Sequence, residues 1–292
     1  MTPAHNAAAG KTDAPLDEMT RRVARAAVRA LWQELALYPK PGLVSLHDAG
    51  AHDDMNADTF IRSLFALSRF FGDVAKAGAT GAAFETLRML GIRAERAMLT
   101  ATRGVNTHRG AIFALGLLCA AVARTAAACE APSDGMLRKV LLAQWGADLA
   151  SLRPAAGSAS HGAQAEHRHG ATGARGEALH GFPSVFEVAL PALREALARG
   201  RDIRHAKLSA FFALLAHVDD TNVLHRGGAS GLAFVRRVAR EFRASGDVYS
   251  PDALMRAEAI HRAFIARRLS PGGCADLLAA ALFVHHVQHM LR

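Results

Sequence analysis

Cysteine, aromatic residues and long apolar runs are all scarce in this chain of 292 residues. Its three cysteines, Cys119, Cys129 and Cys274, are widely spaced, which argues against a disulfide framework and against a cysteine-rich zinc site. The beginning of the chain has no apolar stretch of the signal-peptide kind, and the longest apolar run, 111–123, is too short to cross a bilayer. We therefore expect a cytoplasmic protein that does not bind membranes.

The aromatic content is only 6%, whereas alanine is abundant, and this balance favours helices over sheets. Apolar residues recur at helical spacing along most of the chain, as at Phe60 and Leu64, and no long stretch alternates with a period of two. The sequence therefore predicts an all-α, single-domain bundle of about ten helices. We expect a disordered leader at 1–17 and a catalytic domain at 18–292, with a flexible Gly-, Ala-, Ser- and His-rich loop at 153–176.

Positive charge exceeds negative charge, since 35 Lys and Arg against 26 Asp and Glu give a net charge of +9. This excess suits a nucleotide, a nucleic acid or an acidic lipid without choosing among them. Five polar segments at predicted helix ends mix cations with acids and glycines: 34–44, 47–55, 102–110, 170–177 and 219–228. Because helix N-termini attract anions and carboxylate oxygens suit Mg²⁺, the five together predict a magnesium–polyphosphate site where helix ends converge.

Each segment taken alone also has a plainer interpretation. Lys40, between two prolines, is displayed on a rigid loop, where it could meet phosphate or simply stay solvated. The acids and histidines of 47–55 are compatible with a metal or proton-transfer site, and equally with an acidic cap for the helix predicted at 57–74. The adjacent acids of 219–228 could bind a metal or cap a helix.

Five segments resemble those of a known family. They are PKPGLVSLHDAGAHDDM (39–55), ATRGVNTHRGAIFALG (101–116), GARGEALHGFP (173–183), DDTNVLHRGG (219–228) and SPGGCADLLA (270–279). In this order they resemble the ATP:dephospho-CoA triphosphoribosyltransferase family. The resemblance implies transfer of the triphosphoribosyl group of ATP to the 2′-hydroxyl of 3′-dephospho-CoA, with release of adenine. The product would be the prosthetic-group precursor of malonate decarboxylase or citrate lyase, and AHDDM and HRGGA are more similar to the malonate decarboxylase branch.

The same resemblance implies partners, and the polar segments add Mg²⁺ as the cofactor. ATP would bind with Mg²⁺, next to 3′-dephospho-CoA, and the product would pass to an enzyme that loads an acyl-carrier protein. A homodimer is compatible with the sequence, and no nucleic-acid or membrane partner is expected.

Transfer at an anomeric carbon passes through an oxocarbenium-like transition state, which needs a base, nearby negative charge and a donor to the departing purine. Glu177 or Asp54 is the expected base. His52 or His108 is expected to protonate adenine or to orient a carboxylate. The other assignments are Mg²⁺ to Asp219 and Asp220, phosphates to Lys40, Arg109, Arg175 and Arg226, and ribose hydroxyls to Asn106 and Asn222.

Two functions of other classes compete with this interpretation. A magnesium-dependent hydrolase of ADP-ribose-type bonds would use the same acids with water as the acceptor. A basic helical nucleic-acid-binding module would account for the net charge of +9. Against the second, the cations are dispersed among acids, and only two Trp and two Tyr are present for base stacking.

Overall fold

The computed structural model describes residues 13–152 and 173–291. Within these ranges the chain forms eleven α-helices and no β-strand around one hydrophobic core, which confirms the all-α prediction. In chain order they are α1 (Asp13–Leu35), α2 (Ala57–Ala79), α3 (Phe84–Ala101), α4 (Arg109–Ala127), α5 (Asp134–Ser151), α6 (Gly173–Leu179), α7 (Leu190–Ala198), α8 (Ile203–His217), α9 (Thr221–Ala244), α10 (Ala253–Ala266) and α11 (Gly272–Met290). A π-helix, Ser184–Ala189, runs directly into α7, and a 3₁₀ turn, Asp247–Tyr249, precedes α10.

Helix α4 lies at the centre of the bundle because its sequence is apolar on nearly every side. It packs against α1, α2, α3, α5 and α11. Gly78 of α2 lies very close to the backbone of α4, since a Cβ at this position would be 2.7 Å from the carbonyl carbon of Ala120. In the described ranges α4 alone is long and apolar enough to cross a membrane, but 72% of its most apolar window is buried inside the protein. Its burial is that of a core helix, as the sequence predicts.

Short polar side chains satisfy the first N–H groups of several helices. Asn56 caps α2, because its side chain accepts from the backbone N–H of Thr59 at 3.1 Å while the Thr59 hydroxyl lies 3.4 Å from the Asn56 nitrogen. The cap of this helix is therefore Asn56 and not an acid of 47–55. Ser133 and Asp202 cap α5 and α8 in the same way.

Two described helices begin inside segments that the sequence predicts as irregular. Helix α1 already begins at Asp13, because Leu16 packs against the core and Asp17 pairs with Lys76 at 3.4 Å. Helix α1 therefore includes 13–17 of the predicted leader, and the remainder of that leader lies outside the described residues. Likewise α6 occupies the last four residues of the predicted loop at 153–176, and the rest of that loop lies outside the described residues.

Candidate active site

The ends of several helices surround one cavity of about 1100 Å³. Its walls come from the loop after α1, the starts of α4, α9 and α11, and the short helix α6, and the facing sides of α2 and α3 close it. The stretches 39–55, 101–110 and 219–228 therefore meet at one cleft, as the sequence predicts. All twelve predicted site residues line it: Lys40, His52, Asp54, Asn106, His108, Arg109, Arg175, Glu177, Asp219, Asp220, Asn222 and Arg226. Their positions agree with a shared site, and their individual roles stay predictions.

Asp220 is buried where the starts of α9 and α11 meet. Its Oδ1 accepts the backbone N–H groups of Asn222 at 2.9 Å and Val223 at 3.1 Å. Its Oδ2 accepts the N–H of Cys274 at 2.8 Å, and Gly273 permits this approach because a Cβ there would lie 3.0 Å from Oδ2. Burial raises the pKa of Asp220, and the three N–H donors lower it by less. The carboxylate thus caps two helices, which is the plainer of its two sequence interpretations.

Asp219 is the more accessible of the two predicted magnesium ligands. Its side chain is 58% exposed and pairs with Arg236 at 2.9 Å. In the parts of the chain that the structure describes, no group of three or more His, Cys, Asp or Glu side chains is arranged to hold a metal ion. The magnesium site therefore stays a prediction, with Asp219 as its accessible carboxylate.

The side chain of Lys40 is buried, so the prediction that it is exposed on a rigid loop is wrong. Its side chain is 1% exposed, and the ammonium donates to the carboxylate of Glu34 and, at 2.9 Å, to the Glu34 backbone carbonyl. Burial lowers the pKa of Lys40 and raises the pKa of Glu34, and the contact between the two opposes both shifts. The reason is local, because Glu34 lies in the last turn of α1 and holds the ammonium in the core.

Arg226, His52 and Ser270 are joined by hydrogen bonds along one wall. The Nη2 of Arg226 lies 3.1 Å from Nδ1 of His52, and the Nε2 of His52 lies 2.7 Å from the Ser270 hydroxyl. Because a guanidinium only donates, Nδ1 is the acceptor and the neutral ring carries its proton on Nε2. Burial, and then the charge of Arg226, lowers the pKa of His52. His52 therefore orients Arg226, while the Asp54 carboxylate, 62% exposed, lies 3.5 Å from the ring.

The start of α4 presents Asn106 and Arg109 to the cavity. The Asn106 side-chain oxygen accepts the backbone N–H of Arg109 at 3.1 Å, so this side chain satisfies the first N–H group of α4. The Arg109 guanidinium donates to Glu95 at 2.7 Å across from α3. Both side chains line the cavity, and both have protein partners in it.

His108 lies one residue before α4 and is buried. Its Nδ1 lies 2.6 Å from the Ser63 hydroxyl, and its ring meets Phe60 edge-on with centroids 4.9 Å apart. Nε2 has no hydrogen-bond partner among the described residues. Burial, followed by the charge of Lys40, lowers the pKa of His108 to about 3. The ring is therefore neutral at physiological pH, so it can exchange a hydrogen bond with a ligand but is a poor source of a proton.

Glu177 and Arg175 enter the cavity from α6. The Glu177 carboxylate accepts from Ser184 twice, from the hydroxyl at 2.5 Å and from the backbone N–H at 3.1 Å. Arg175 donates to the backbone carbonyl of Leu152 at 2.6 Å. Glu177 therefore anchors the start of the π-helix, a structural task that competes with the predicted role of base.

Asp276, in the first turn of α11, also lines the cavity and is not among the residues predicted from the sequence. It accepts the backbone N–H of Ala111, and Gly110 allows this because a Cβ there would lie within 2.9 Å of Asp276 Cγ. Burial, and then the charges of Glu34 and Asp220, raises the pKa of Asp276 well above its usual range. A sequence signal exists, since it is the only acid in the apolar stretch that forms α11.

The opposite part of the cavity is apolar. Facing side chains of α2, α3 and α4 line it: Phe60, Phe70, Val74, Phe84, Leu87, Ile92, Ile112 and Phe113. Gly116 leaves room for the ring of Phe70, which would lie 2.9 Å from a Cβ at residue 116. The cavity thus joins a polar end, suited to phosphates and sugar, to an apolar end of aromatic and aliphatic side chains.

Comparison with known proteins finds relatives along most of the chain. The family model described as ATP:dephospho-CoA triphosphoribosyl transferase matches residues 20–292. A probable 2-(5″-triphosphoribosyl)-3′-dephosphocoenzyme-A synthase of Pectobacterium carotovorum is 42% identical over 279 residues, 93% of this chain and 89% of the relative. The synthase of Pectobacterium atrosepticum is 43% identical over 265 residues (88% and 86%), and a probable synthase of Azotobacter vinelandii is 40% identical over 286 residues (95% of each). No solved structure matches the chain.

An all-helical domain with a polar cavity at its helix ends, and relatives that are synthases over nearly their whole length, define this chain as an enzyme of the transferase class. It belongs to the ATP:dephospho-CoA triphosphoribosyl transferase family. The resemblance found in the sequence is therefore confirmed.

Proposed function

We propose that this enzyme transfers the triphosphoribosyl group of ATP to the 2′-hydroxyl of 3′-dephospho-CoA and releases adenine. Membership of the family supports the pair of substrates. The observation that carries the proposal is the meeting of five polar helix-end segments in one cavity of about 1100 Å³, a volume suited to nucleotide ligands.

The polar end of the cavity suits the triphosphate. Arg109, Arg175 and Arg226 reach it from three separate segments, and planar guanidinium groups bind phosphate oxygens in pairs. Because the triphosphate stays on the sugar throughout the reaction, its binding energy can position the anomeric carbon against the acceptor. Lys40, already paired with Glu34, would add its charge to this end without a direct contact.

Magnesium belongs to the proposal as a companion of ATP, where it would neutralise charge on the triphosphate. Asp219 is the exposed carboxylate that could add an oxygen ligand to it, while both oxygens of Asp220 already accept backbone N–H groups. The roles of Asn106 and Asn222 toward ribose hydroxyls also remain part of the proposal.

The apolar end of the cavity suits the uncharged parts of the substrates. Aromatic side chains such as Phe60 and Phe113 are suitable surfaces for a purine or for the pantetheine arm. We further propose that the product serves malonate decarboxylase through an enzyme that loads its acyl-carrier subunit, and that the reaction takes place in the cytoplasm. The carrier partner and the homodimer stay predictions.

Mass spectrometry of a reaction with ATP, Mg²⁺ and 3′-dephospho-CoA tests the function. The expected result is a product heavier than the acceptor by one triphosphoribosyl group, together with an equal amount of adenine. A matched acceptor that lacks the 2′-hydroxyl should give neither. Release of ribose triphosphate from ATP alone, at the same rate with and without acceptor, would instead identify a hydrolase and overturn the proposal.

Arg226→Ala tests the placement of the triphosphate. The KM for ATP should rise at least tenfold and more than the KM for 3′-dephospho-CoA, because a phosphate contact is lost. Arg262→Ala is the matched control, since Arg262 pairs with Glu258 on the surface of α10, outside the cavity. If only the acceptor KM rises, Arg226 belongs to the acceptor site and this part of the proposal is wrong.

A further inference from the structure

The cavity is lined by seven carboxylates, and five of them accept hydrogen bonds from protein groups or form ion pairs with them. Their partners are Lys40 for Glu34, Arg109 for Glu95, Ser184 for Glu177, Arg236 for Asp219, and three backbone N–H groups for Asp220. The sixth, Asp54, is 62% exposed, and its carboxylate lies 3.5 Å from the unprotonated Nδ1 of His52. Asp276 is the seventh. Among the residues that the structure describes, no cationic or hydroxyl side chain is paired with it. Among the seven, Asp276 is therefore the carboxylate that is neither paired with a described side chain nor mostly exposed, so it stays available to a ligand.

The backbone of α4 fixes the position of this carboxylate. The N–H of Ala111 donates to it, and the absence of a side chain at Gly110 lets the Asp276 oxygen lie against the first turn of α4. A carboxylate has about four lone-pair sites, so one N–H bond leaves it free to accept a proton. Asp276 also lies beside the segment 102–110, one of the five predicted to form the polyphosphate site.

We propose that Asp276 is the catalytic base of the transfer reaction, an inference that rests on the proposed function. As the acceptor 2′-oxygen forms its bond to the anomeric carbon, its proton passes to Asp276. The bond between that carbon and the adenine nitrogen breaks, and its electron pair leaves with adenine. Asp276 then gives the proton to adenine, so that the carboxylate is restored and the atoms balance.

The electrostatics of the site support this role. The pKa of Asp276 is raised by burial and by its acidic neighbours Glu34 and Asp220, and a carboxylate with a raised pKa is a stronger base than an ordinary one. Before the proton is taken, its negative charge also stabilises the positive charge that develops on the sugar.

The test compares Asp276→Asn and Asp276→Ala with the wild-type enzyme, once wild type has been shown to form the product. Asp276→Asn keeps the shape of the side chain, so the KM values for both substrates and the Tm should change little. Its kcat should fall by about 10²–10⁴-fold, the usual contribution of a general base. Asp247→Asn is the matched control, a buried carboxylate outside the cavity, and should keep the wild-type kcat.

Formate supplies a second readout that a structural role would not give. In folded Asp276→Ala the space left by the side chain can admit formate, which should raise the rate at least tenfold, whereas Asp276→Asn, whose amide fills that space, should not respond. If wild type forms the product, two results would each overturn the inference and leave the proposed function standing. One is a kcat of Asp276→Asn within threefold of the wild-type kcat, and the other is no rescue of folded Asp276→Ala by formate. A wild-type enzyme without product would overturn the proposed function itself.

Discussion

Gly110→Ala is an informative small change, because it should displace the carboxylate of Asp276 without replacing that residue. A Cβ at residue 110 would overlap Oδ2 of Asp276 and lie 2.9 Å from its Cγ. These atoms belong to a side chain that can rotate, so the conflict is relieved by turning the carboxylate away from the Ala111 N–H. The loss of that bond costs about 1 kcal/mol, and the better helix propensity of alanine offsets up to about 1 kcal/mol.

The free energy of unfolding should therefore change by less than about 1 kcal/mol, while turnover falls by about 10²-fold if the base is displaced. Urea unfolding and steady-state kinetics on the same preparation measure the two effects separately. Gly135→Ala is the control, since no atom lies within 4 Å of a Cβ at this position in α5, and it should leave turnover unchanged. Wild-type turnover in Gly110→Ala, or a loss of several kcal/mol of stability, would refute the reasoning.

Three further predictions concern the bundle. Gly78→Ala should lower the free energy of unfolding by about 3 kcal/mol or more in a urea titration, because the new Cβ meets the rigid backbone at Ala120; a normal midpoint would contradict this. Lys40→Met should cost about 3–5 kcal/mol by leaving Glu34 buried and unpaired, and the double variant with Glu34→Leu should recover most of it; no recovery would show that the pair is not the cause. His108, with a pKa of about 3, stays neutral in the folded state, whereas in the unfolded chain it binds a proton below pH about 6.5. As the pH falls from about 6.5 to about 3, the free energy of unfolding of wild type should therefore fall by up to about 1.4 kcal/mol per pH unit more than that of His108→Asn. Parallel slopes for the two proteins in pH-dependent unfolding would refute the assignment.

The helical class and the meeting of the polar segments could be predicted because both depend on local pattern. Apolar spacing decides which residues become helices, and cations and glycines at helix ends are visible in the sequence. The single domain of α-helices and the common cavity of 39–55, 101–110 and 219–228 follow from these two signals.

The partners of individual side chains could not be predicted, because they depend on contacts between distant segments. Nothing near Gly110 in sequence indicates that Asp276 lies against it, and nothing near His108 indicates Ser63. Lys40 shows the same limit at short range, since a lysine between prolines suggests exposure until the fold places Glu34 beside it.

The double role of Asp220 has a consequence for any mutational study of this family member. One acidic side chain joins the start of α9, the helix that carries Arg226, to the start of α11, the helix that carries Asp276, so its replacement would disturb the proposed phosphate binding and the proposed proton transfer together. An inactive Asp220 variant would for that reason resemble the loss of a metal ligand even where no metal is touched. Asp219, which ties no helices together, is the position at which a metal-binding role can be separated from architecture.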